Sequence, residues 1–169
     1  MLARLLDVYP QRVVWGLSYA YGYFQLGLAQ KAETELLELG KNYQDLPEVI
    51  NLRGLILLSQ ERWHKVLHLS ARGRILYPHM PEFYVQGAYA FEKLKDYSQA
   101  LHLWEGAPSC IRSYPLYHYN VARCQAFLGE IQGAESSLRV ALTLDPKLAS
   151  TIRKEACLRP CLSKLALKA

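Results

Sequence analysis

The sequence predicts an all-α fold built from four helix pairs, with a capping helix after the last pair. The first observation is a strict 34-residue repeat that runs through the chain without insertion or deletion. Mostly small residues mark it in three series: Ala20, Gly54, Ala88 and Ala122; Ala32, Val66, Ala100 and Ala134; and Leu39, Gly73, Ala107 and Ala141. The second observation is an apolar residue at every third or fourth position within each copy, as on one face of a helix. Such a period is typical of helix–turn–helix repeats.

The repeat copies are predicted at 13–46, 47–80, 81–114 and 115–148. Pro47, Pro81 and Pro115 open the second, third and fourth copies. Proline is favoured at the first position of a helix because the N–H that it lacks would have no partner there. Gly27 and Gly129 are predicted to form the tight turns between paired helices.

The second helix of the third copy is predicted to be short. Gly106 and Pro108 fall in what should be its last turns, and proline removes a backbone hydrogen bond. We therefore expect this helix to end near Glu105 and residues 106–114 to be irregular.

The N-terminal segment differs from the full copies. Residues 1–12 are predicted to be a partial repeat or an N-terminal cap, because Leu2 is in phase with Leu36 and Leu138 of later second helices. Two interpretations stay open at this point: a short helical cap, or one piece of a longer array.

A terminal helix is expected after the fourth copy, because a repeat array must cover its last apolar face. Lys147–Leu158 is predicted to be that helix, broken by Pro160, so that 149–169 forms the capping helix and a basic tail. Residues 153–169 hold five of the 20 Lys and Arg residues against one acidic residue. Such a tail attracts acidic surfaces, but a solvated helix is the ordinary interpretation of a short charge run. No nucleic-acid partner is expected.

The residues within the copies resemble those of tetratricopeptide repeat proteins. The fourth copy carries Tyr119-Asn120-Val121-Ala122, the turn Leu128-Gly129-Glu130, and Asp145-Pro146 at its end. The second copy is the most divergent and has Arg53 where the family prefers leucine. The resemblance covers 136 of 169 residues. It implies a right-handed α–α superhelix whose first helices line a concave groove.

The resemblance also implies which residues form a partner-binding groove. They are Leu17, Tyr21, Phe24, Asn51, Leu55, Gln86, Tyr89, Lys93, Tyr119, Asn120, Arg123 and Phe127. The expected partner is another protein or peptide with apolar anchors. Tyr21, Tyr89 and Tyr119 are predicted to be the main anchors, since tyrosine offers a large rigid surface, and Asn120 and Arg123 are predicted to fix the ligand's backbone or a carboxylate.

The preferred function is a non-enzymatic interaction module or scaffold that binds a peptide or helix in its groove. The alternative is a chaperone similar to those of type III secretion, which would shield an apolar client, because the stretch from Ala122 to Leu138 resembles the last repeat of such chaperones. A third class is nucleic-acid or lipid contact through the basic tail. The co-chaperones that clamp acidic chaperone tails are disfavoured, since Glu82 stands where a carboxylate would bind.

Patterns that carry chemistry are sparse. His64 and His68 are four apart on a predicted helix, a spacing that can hold a metal, but no further ligand matches them, so no metal and no cofactor are expected. Neither a nucleophile motif nor a phosphate-binding loop is present, and the protein is predicted not to be an enzyme. The four cysteines are expected to be reduced in the cytoplasm, because the chain shows no secretory signal and no membrane span.

Self-association is predicted through the N-terminal end. An open first copy leaves the apolar faces of Trp15, Tyr19 and Tyr23 poorly covered, and large exposed apolar patches tend to find partners. Leu2, Leu5 and Leu6 are predicted to lie at or near this contact.

Overall fold

The computed structural model describes residues 8–162, and within this range the chain is helical and contains no β-strand. The long helices there form four successive pairs: α1 Gln11–Gln25 with α2 Ala29–Glu38, α3 Pro47–Ser59 with α4 Trp63–Leu76, α5 Pro81–Lys93 with α6 Tyr97–Glu105, and α7 Pro115–Phe127 with α8 Ile131–Leu144. The chain divides after Tyr77 into two compact units, residues 1–77 and 78–169. The prediction of an all-α helical-repeat fold is confirmed. Leu2, Leu5 and Leu6 lie outside the described residues.

The turn inside every pair has the same backbone geometry. Its central residue has a positive φ in all four copies: 75° at Gly27, 56° at Glu61, 63° at Lys95 and 80° at Gly129. The following N–H then donates to the carbonyl five residues earlier, as from Leu28 to Tyr23 at 2.9 Å, which is a Schellman closure of the first helix. The predicted turn roles of the two glycines are confirmed. The two side-chain-bearing residues adopt this conformation at a cost of about 1–2 kcal/mol each.

Small residues at the repeat positions allow the helices to pack closely. Ala20, Ala88 and Ala122 are fully buried on the first helices, as are Ala32, Ala100 and Ala134 on the second. Pro47, Pro81 and Pro115 are each the first residue of a first helix, as predicted. Interiors are close-packed, so a larger side chain at these alanines would force the paired helices apart.

The first unit has one apolar cluster, formed by α1, α2 and α3 and including Val13, Leu36 and Val49. Arg53, the residue that departs from the family pattern, lies beside this cluster. Its Nε donates to Glu33 Oε1 at 2.8 Å and its Nη2 donates to Gln44 Oε1 at 2.7 Å. The side chain is partly buried but has polar partners, so the second copy tolerates an arginine at this position.

The second unit has two apolar clusters. One joins α5, α6 and α7 around Trp104 and Val121, and the other joins α7 and α8 to the C-terminal segment. Helix α6 ends at Glu105 as predicted. The prediction that 106–114 is irregular is only partly right, because Ser109–Ser113 forms a 3-10 helix. Pro108 precedes this short helix, where its missing N–H costs no hydrogen bond.

The C-terminal segment is not the single helix that the sequence predicts. It consists of a 3-10 turn Pro146–Leu148, helix α9 Ala149–Lys154, a second 3-10 turn Ala156–Leu158, and helix α10 Arg159–Leu162. The break falls at Glu155, whose backbone is extended, and Pro160 lies in the first turn of α10, where proline is tolerated.

Burial explains this break. Ile152 and Leu158 are both fully buried against the last helix pair. In a continuous helix of 3.6 residues per turn, side chains six positions apart would point about 120° away from each other. The extended residue between them turns the chain so that both reach the same apolar surface.

Candidate protein-binding surface

Five of the predicted groove residues lie in the first unit. Tyr21 is exposed, Phe24, Asn51 and Leu55 are half-buried, and Leu17 is buried. Leu17 belongs to the apolar cluster that α1 shares with α2 and α3. Its predicted role as a surface contact is therefore corrected, because the next helix pair packs over this side chain.

The other seven predicted residues lie in the second unit, on α5 and α7. Tyr89, Lys93 and Phe127 are exposed, Asn120 and Arg123 are half-buried, and Gln86 and Tyr119 are buried. Gln86 is only 4% exposed and Tyr119 only 7%. These two side chains offer a partner little surface, so both predictions are corrected, and the open face of this unit depends on the remaining five.

Tyr89 and Lys93 form an exposed pair one turn apart on α5. The Lys93 Nζ lies 5.0 Å from the centre of the Tyr89 ring, within the range of a cation–π interaction. Tyr89 still presents 41% of its surface to solvent. An apolar ring and a positive charge are thus presented side by side on this helix.

Arg123 on α7 is held by a carboxylate from α5. Its Nη1 donates to Glu92 Oε2 at 2.8 Å, and its guanidinium lies 5.7 Å from the centre of the Tyr119 ring. The Glu92 side chain is almost completely buried, whereas that of Arg123 is a quarter exposed. The arginine is therefore already paired, and it links the two first helices of this unit.

Glu92 accepts hydrogen bonds from two side chains. Besides Arg123, Trp104 Nε1 donates to Glu92 Oε1 at 3.2 Å, and the buried Cys124 thiol lies near the same carboxylate. Burial raises the pKa of the Glu92 carboxyl above its ordinary value, and the nearby Arg123 charge lowers it without cancelling the effect of burial. The carboxylate is thus desolvated but well supplied with hydrogen bonds.

Tyr119 points to the C-terminal segment and not to solvent. Its hydroxyl donates to Glu155 Oε1 at 2.9 Å, and Cys157 lies beside the other carboxylate oxygen, with Sγ 4.0 Å from Oε2. Burial, followed by the bond to the Glu155 carboxylate, raises the pKa of the Tyr119 hydroxyl. The C-terminal segment therefore covers the part of α7 that the sequence predicts to be an anchor.

Phe127 is the last residue of α7 and is exposed. Its ring stacks on that of Tyr97 with the centres 4.0 Å apart and the planes 6° from parallel. Stacking of this kind adds about 0.5–1.5 kcal/mol beyond buried area. The half-exposed Phe127 is thereby fixed in place and extends the open surface towards the start of α6.

Sequence reasoning missed Glu92 and Glu155. A signal for the first was present, because the positions that are equivalent to Glu92 in the other copies hold Phe24, Leu58 and Ala126. A charged residue at an otherwise apolar repeat position is expected to be buried with a partner. Glu155 lies outside the four copies and carries no such signal.

Among residues 8–162, no group of three or more His, Cys, Asp or Glu side chains is placed to hold a metal ion. His64 and His68 both lie exposed on α4. In the same range, no helix has both the length and the apolar character needed to cross a bilayer. The four cysteines are free thiols, with Cys110 exposed and Cys124 buried.

Paired helices of 34-residue period, Schellman-closed turns and buried small residues define a helical-repeat protein of the tetratricopeptide type. No model of a known protein family matches the sequence, and no curated protein matches it.

Solved structures show the same fold. MamA 41-end from Desulfovibrio magneticus RS-1 has a TM-score of 0.79 at 14% identity, over 93% of this chain and 87% of that chain. TTC0263, a thermophilic TPR protein in Thermus thermophilus, has a TM-score of 0.66 at 16% identity, over 99% of this chain and 88% of that chain. The chain has the tetratricopeptide repeat fold.

Proposed function

We propose that this protein is a non-enzymatic, cytoplasmic interaction module that binds a peptide or helix of another protein on the first-helix face of its second unit. The observation that carries the proposal is the exposed pair of Tyr89 and Lys93, which lies next to the ion pair of Glu92 and Arg123. Tyrosine and arginine are enriched among residues that dominate binding energy. Repeat folds of this type are built to present such surfaces.

The chemistry of this face indicates the kind of segment that fits. An apolar anchor would pack on the Tyr89 ring, and a carboxylate would pair with the Lys93 ammonium. Arg123 is neutralised by Glu92, so its role is to hold the surface and to offer its remaining N–H groups as donors. The expected ligand is thus an amphipathic segment with an apolar residue and an acidic residue close together.

This face favours a specific ligand over the chaperone alternative. A chaperone that shields an aggregation-prone client needs a continuous apolar groove. Here the exposed aromatic residues alternate with Lys93 and with the partly exposed guanidinium of Arg123. Charged groups at fixed positions select a partner by its charge pattern.

The test uses the full chain as bait and compares three versions of it. Wild type and Tyr114→Ala should recover the same partner, because Tyr114 is exposed but lies outside the proposed face. Tyr89→Ala should bind that partner about tenfold or more weakly, a typical loss for a central aromatic residue, and should melt close to wild type. The proposal fails if Tyr89→Ala binds as wild type does.

Salt dependence separates this proposal from binding through the basic tail. Arg153, Lys154 and Arg159 are exposed on the C-terminal segment. Contacts made by such charges weaken steeply as salt rises from low to moderate concentration. Binding anchored on Tyr89 should change little over the same range.

We also propose a second interaction surface, at the N-terminal end of the array. Trp15 and Tyr19 on α1 are 53% and 59% exposed. Two neighbouring aromatic side chains with this exposure are expected to contact a partner, which agrees with the self-association that the sequence predicts.

A further inference from the structure

In the later copies of the repeat, the face equivalent to the one that α1 exposes is covered. The residues equivalent to Trp15 in the later copies are Val49, Phe83 and Tyr117. Val49 and Phe83 are fully buried and Tyr117 is half-buried, whereas Trp15 is the exposed member of the series. The same contrast separates the exposed Tyr19 from the buried Val121 of the fourth copy.

In both units, a helix packs over the equivalent face. Val49 belongs to the same apolar cluster as Leu36 and Leu39, which lie at and beyond the end of α2. In the second unit, Trp104 of α6 meets the ring of Tyr117 edge-on, with the centres 6.0 Å apart. This face of a first helix is thus built to be covered by another helix.

On the first pair, this face borders an open hollow of about 570 Å³ between α1 and α2. Its wall combines apolar and charged groups: Gln11, Arg12, Trp15, Gly16, Tyr19, Glu35, Glu38 and Leu39. The Arg12 Nη2 donates to the backbone carbonyl of Glu38 at 3.2 Å, so a cation is held at the rim beside two carboxylates. A patch that carries both signs of charge around an aromatic centre is complementary to itself.

We infer that a second copy of this chain covers this face, in a two-fold contact between two α1 helices. This inference rests on the proposal that the exposed end of α1 is an interaction surface, and it names the partner. Trp15 and Tyr19 of each copy pack against the other copy, and Arg12 of one faces Glu38 of the other. In a two-fold contact each such pair occurs twice, so two aromatic centres and two charge pairs are joined at once.

The first experiment measures self-association by sedimentation of the full chain over a wide concentration range. Wild type should form dimers as its concentration rises. Trp15→Ala should weaken dimerisation about tenfold or more, as expected for a central aromatic contact, whereas the control Tyr114→Ala should dimerise as wild type does. Circular dichroism melting should show that both variants are folded.

The second experiment tests the two-fold geometry with charge reversal. Arg12→Glu alone and Glu38→Arg alone each place like charges opposite one another in both pairs, so each variant should be monomeric. A mixture of the two variants restores opposite charges across the contact and should dimerise. A contact that joins two different surfaces of the chain would not show this rescue.

Three results would overturn the inference. They are a wild type that stays monomeric at the highest concentration, a Trp15→Ala variant that dimerises as strongly as wild type, and a mixture of Arg12→Glu and Glu38→Arg that does not dimerise. A monomeric wild type would mean that another chain, or another part of this one, covers the face. None of these results bears on Tyr89, whose affinity measurement tests the first-helix face of the second unit separately.

Discussion

The hydroxyl of Tyr119 donates a hydrogen bond to the carboxylate of Glu155 at 2.9 Å and thereby ties the C-terminal segment to helix α7. Helix α7 is a first helix, and the sequence predicts that it faces the ligand. Glu155 is the residue at which the predicted terminal helix is interrupted. Tyr119 is buried, and the bond forms at the residue where the backbone of the segment becomes extended.

Tyr119→Phe should lower stability and leave partner binding unchanged. The substitution removes the hydroxyl but keeps the ring, so the loss is that of one hydrogen bond to a carboxylate, about 1.5–3 kcal/mol. Urea unfolding measures the change, with Tyr114→Phe as the control on an exposed tyrosine. An unchanged free energy of unfolding would show that the bond to Glu155 contributes nothing to the fold.

Arg123→Met should destabilise the chain more than a double variant that also carries Glu92→Gln. The single change leaves a buried carboxylate without its cation and should cost about 2–4 kcal/mol, somewhat less than for a fully buried pair because Arg123 is partly exposed. In the double variant the neutral amide oxygen still accepts from Trp104, so part of the stability should return. Urea unfolding of both variants gives the comparison. Equal losses in the single and double variants would contradict this.

The stability of Arg123→Met should also depend more steeply on pH than that of wild type. Burial already raises the pKa of Glu92 in the folded chain, and Arg123 is the largest influence that lowers it. Without the arginine, the folded state holds this proton more tightly than the unfolded state does. The contribution that the protonated Glu92 makes to stability is then fully present below the ordinary pKa of 4.5. That contribution is lost as the pH rises through the raised pKa of the folded state. Melting temperatures from pH 4 upward should fall more in this variant, and parallel curves would refute the explanation.

Lys95→Gly should stabilise the chain, and Gly129→Ala should destabilise it. Both residues hold the same positive-φ turn position, at 63° and 80°. Glycine removes strain of about 1–2 kcal/mol but costs some unfolded-chain entropy, so the net gain should be several tenths of a kcal/mol to about 1 kcal/mol. A methyl group at Gly129 would meet no neighbouring atom within 4 Å, so its cost is backbone strain alone. If the melting temperatures of Lys95→Gly and Gly129→Ala shift in the same direction from that of wild type, the two turns do not share this geometry.

The native chain should have one rapidly reacting thiol, that of Cys110. This residue is exposed, whereas Cys124 and Cys161 are buried and Cys157 is half-buried. Burial, followed by the Glu155 carboxylate, raises the pKa of the Cys157 thiol. Burial, and next the Glu92 carboxylate, raise the pKa of the Cys124 thiol, which keeps it in the unreactive form. A thiol reagent should titrate four groups after unfolding, and Cys110→Ser should abolish the fast phase in the native state. A fast phase that persists in Cys110→Ser would contradict the assignment.

The sequence predicts the repeat frame well because the frame depends on local chemistry. The prolines at helix starts, the glycines at turns and the alanines at helix crossings each act within one copy, and all appear where the period places them. What the period cannot show is which members of a face are covered. Leu17, Gln86 and Tyr119 share a helix face with exposed residues but are themselves buried. Helix α3 packs against Leu17, and the C-terminal segment covers Tyr119.

The C-terminal segment illustrates the same limit. Its apolar spacing resembles that of a helix, but the break at Glu155 follows from a surface that α7 and α8 create together. The sequence of Lys147–Leu158 alone does not indicate where the apolar surface of α7 and α8 lies. The Glu92–Arg123 pair, in contrast, could be inferred by comparing equivalent positions across the copies, since both residues stand where the other copies are mostly apolar.

The Glu92–Arg123 ion pair also limits how the repeat array can be re-engineered. Glu92 belongs to the third copy and Arg123 to the fourth. Deleting either copy, duplicating one alone or transplanting it into another array would leave a charge without its counterpart. The third and fourth copies, 68 residues together, should therefore be moved as one unit if the Glu92–Arg123 pair is to be kept.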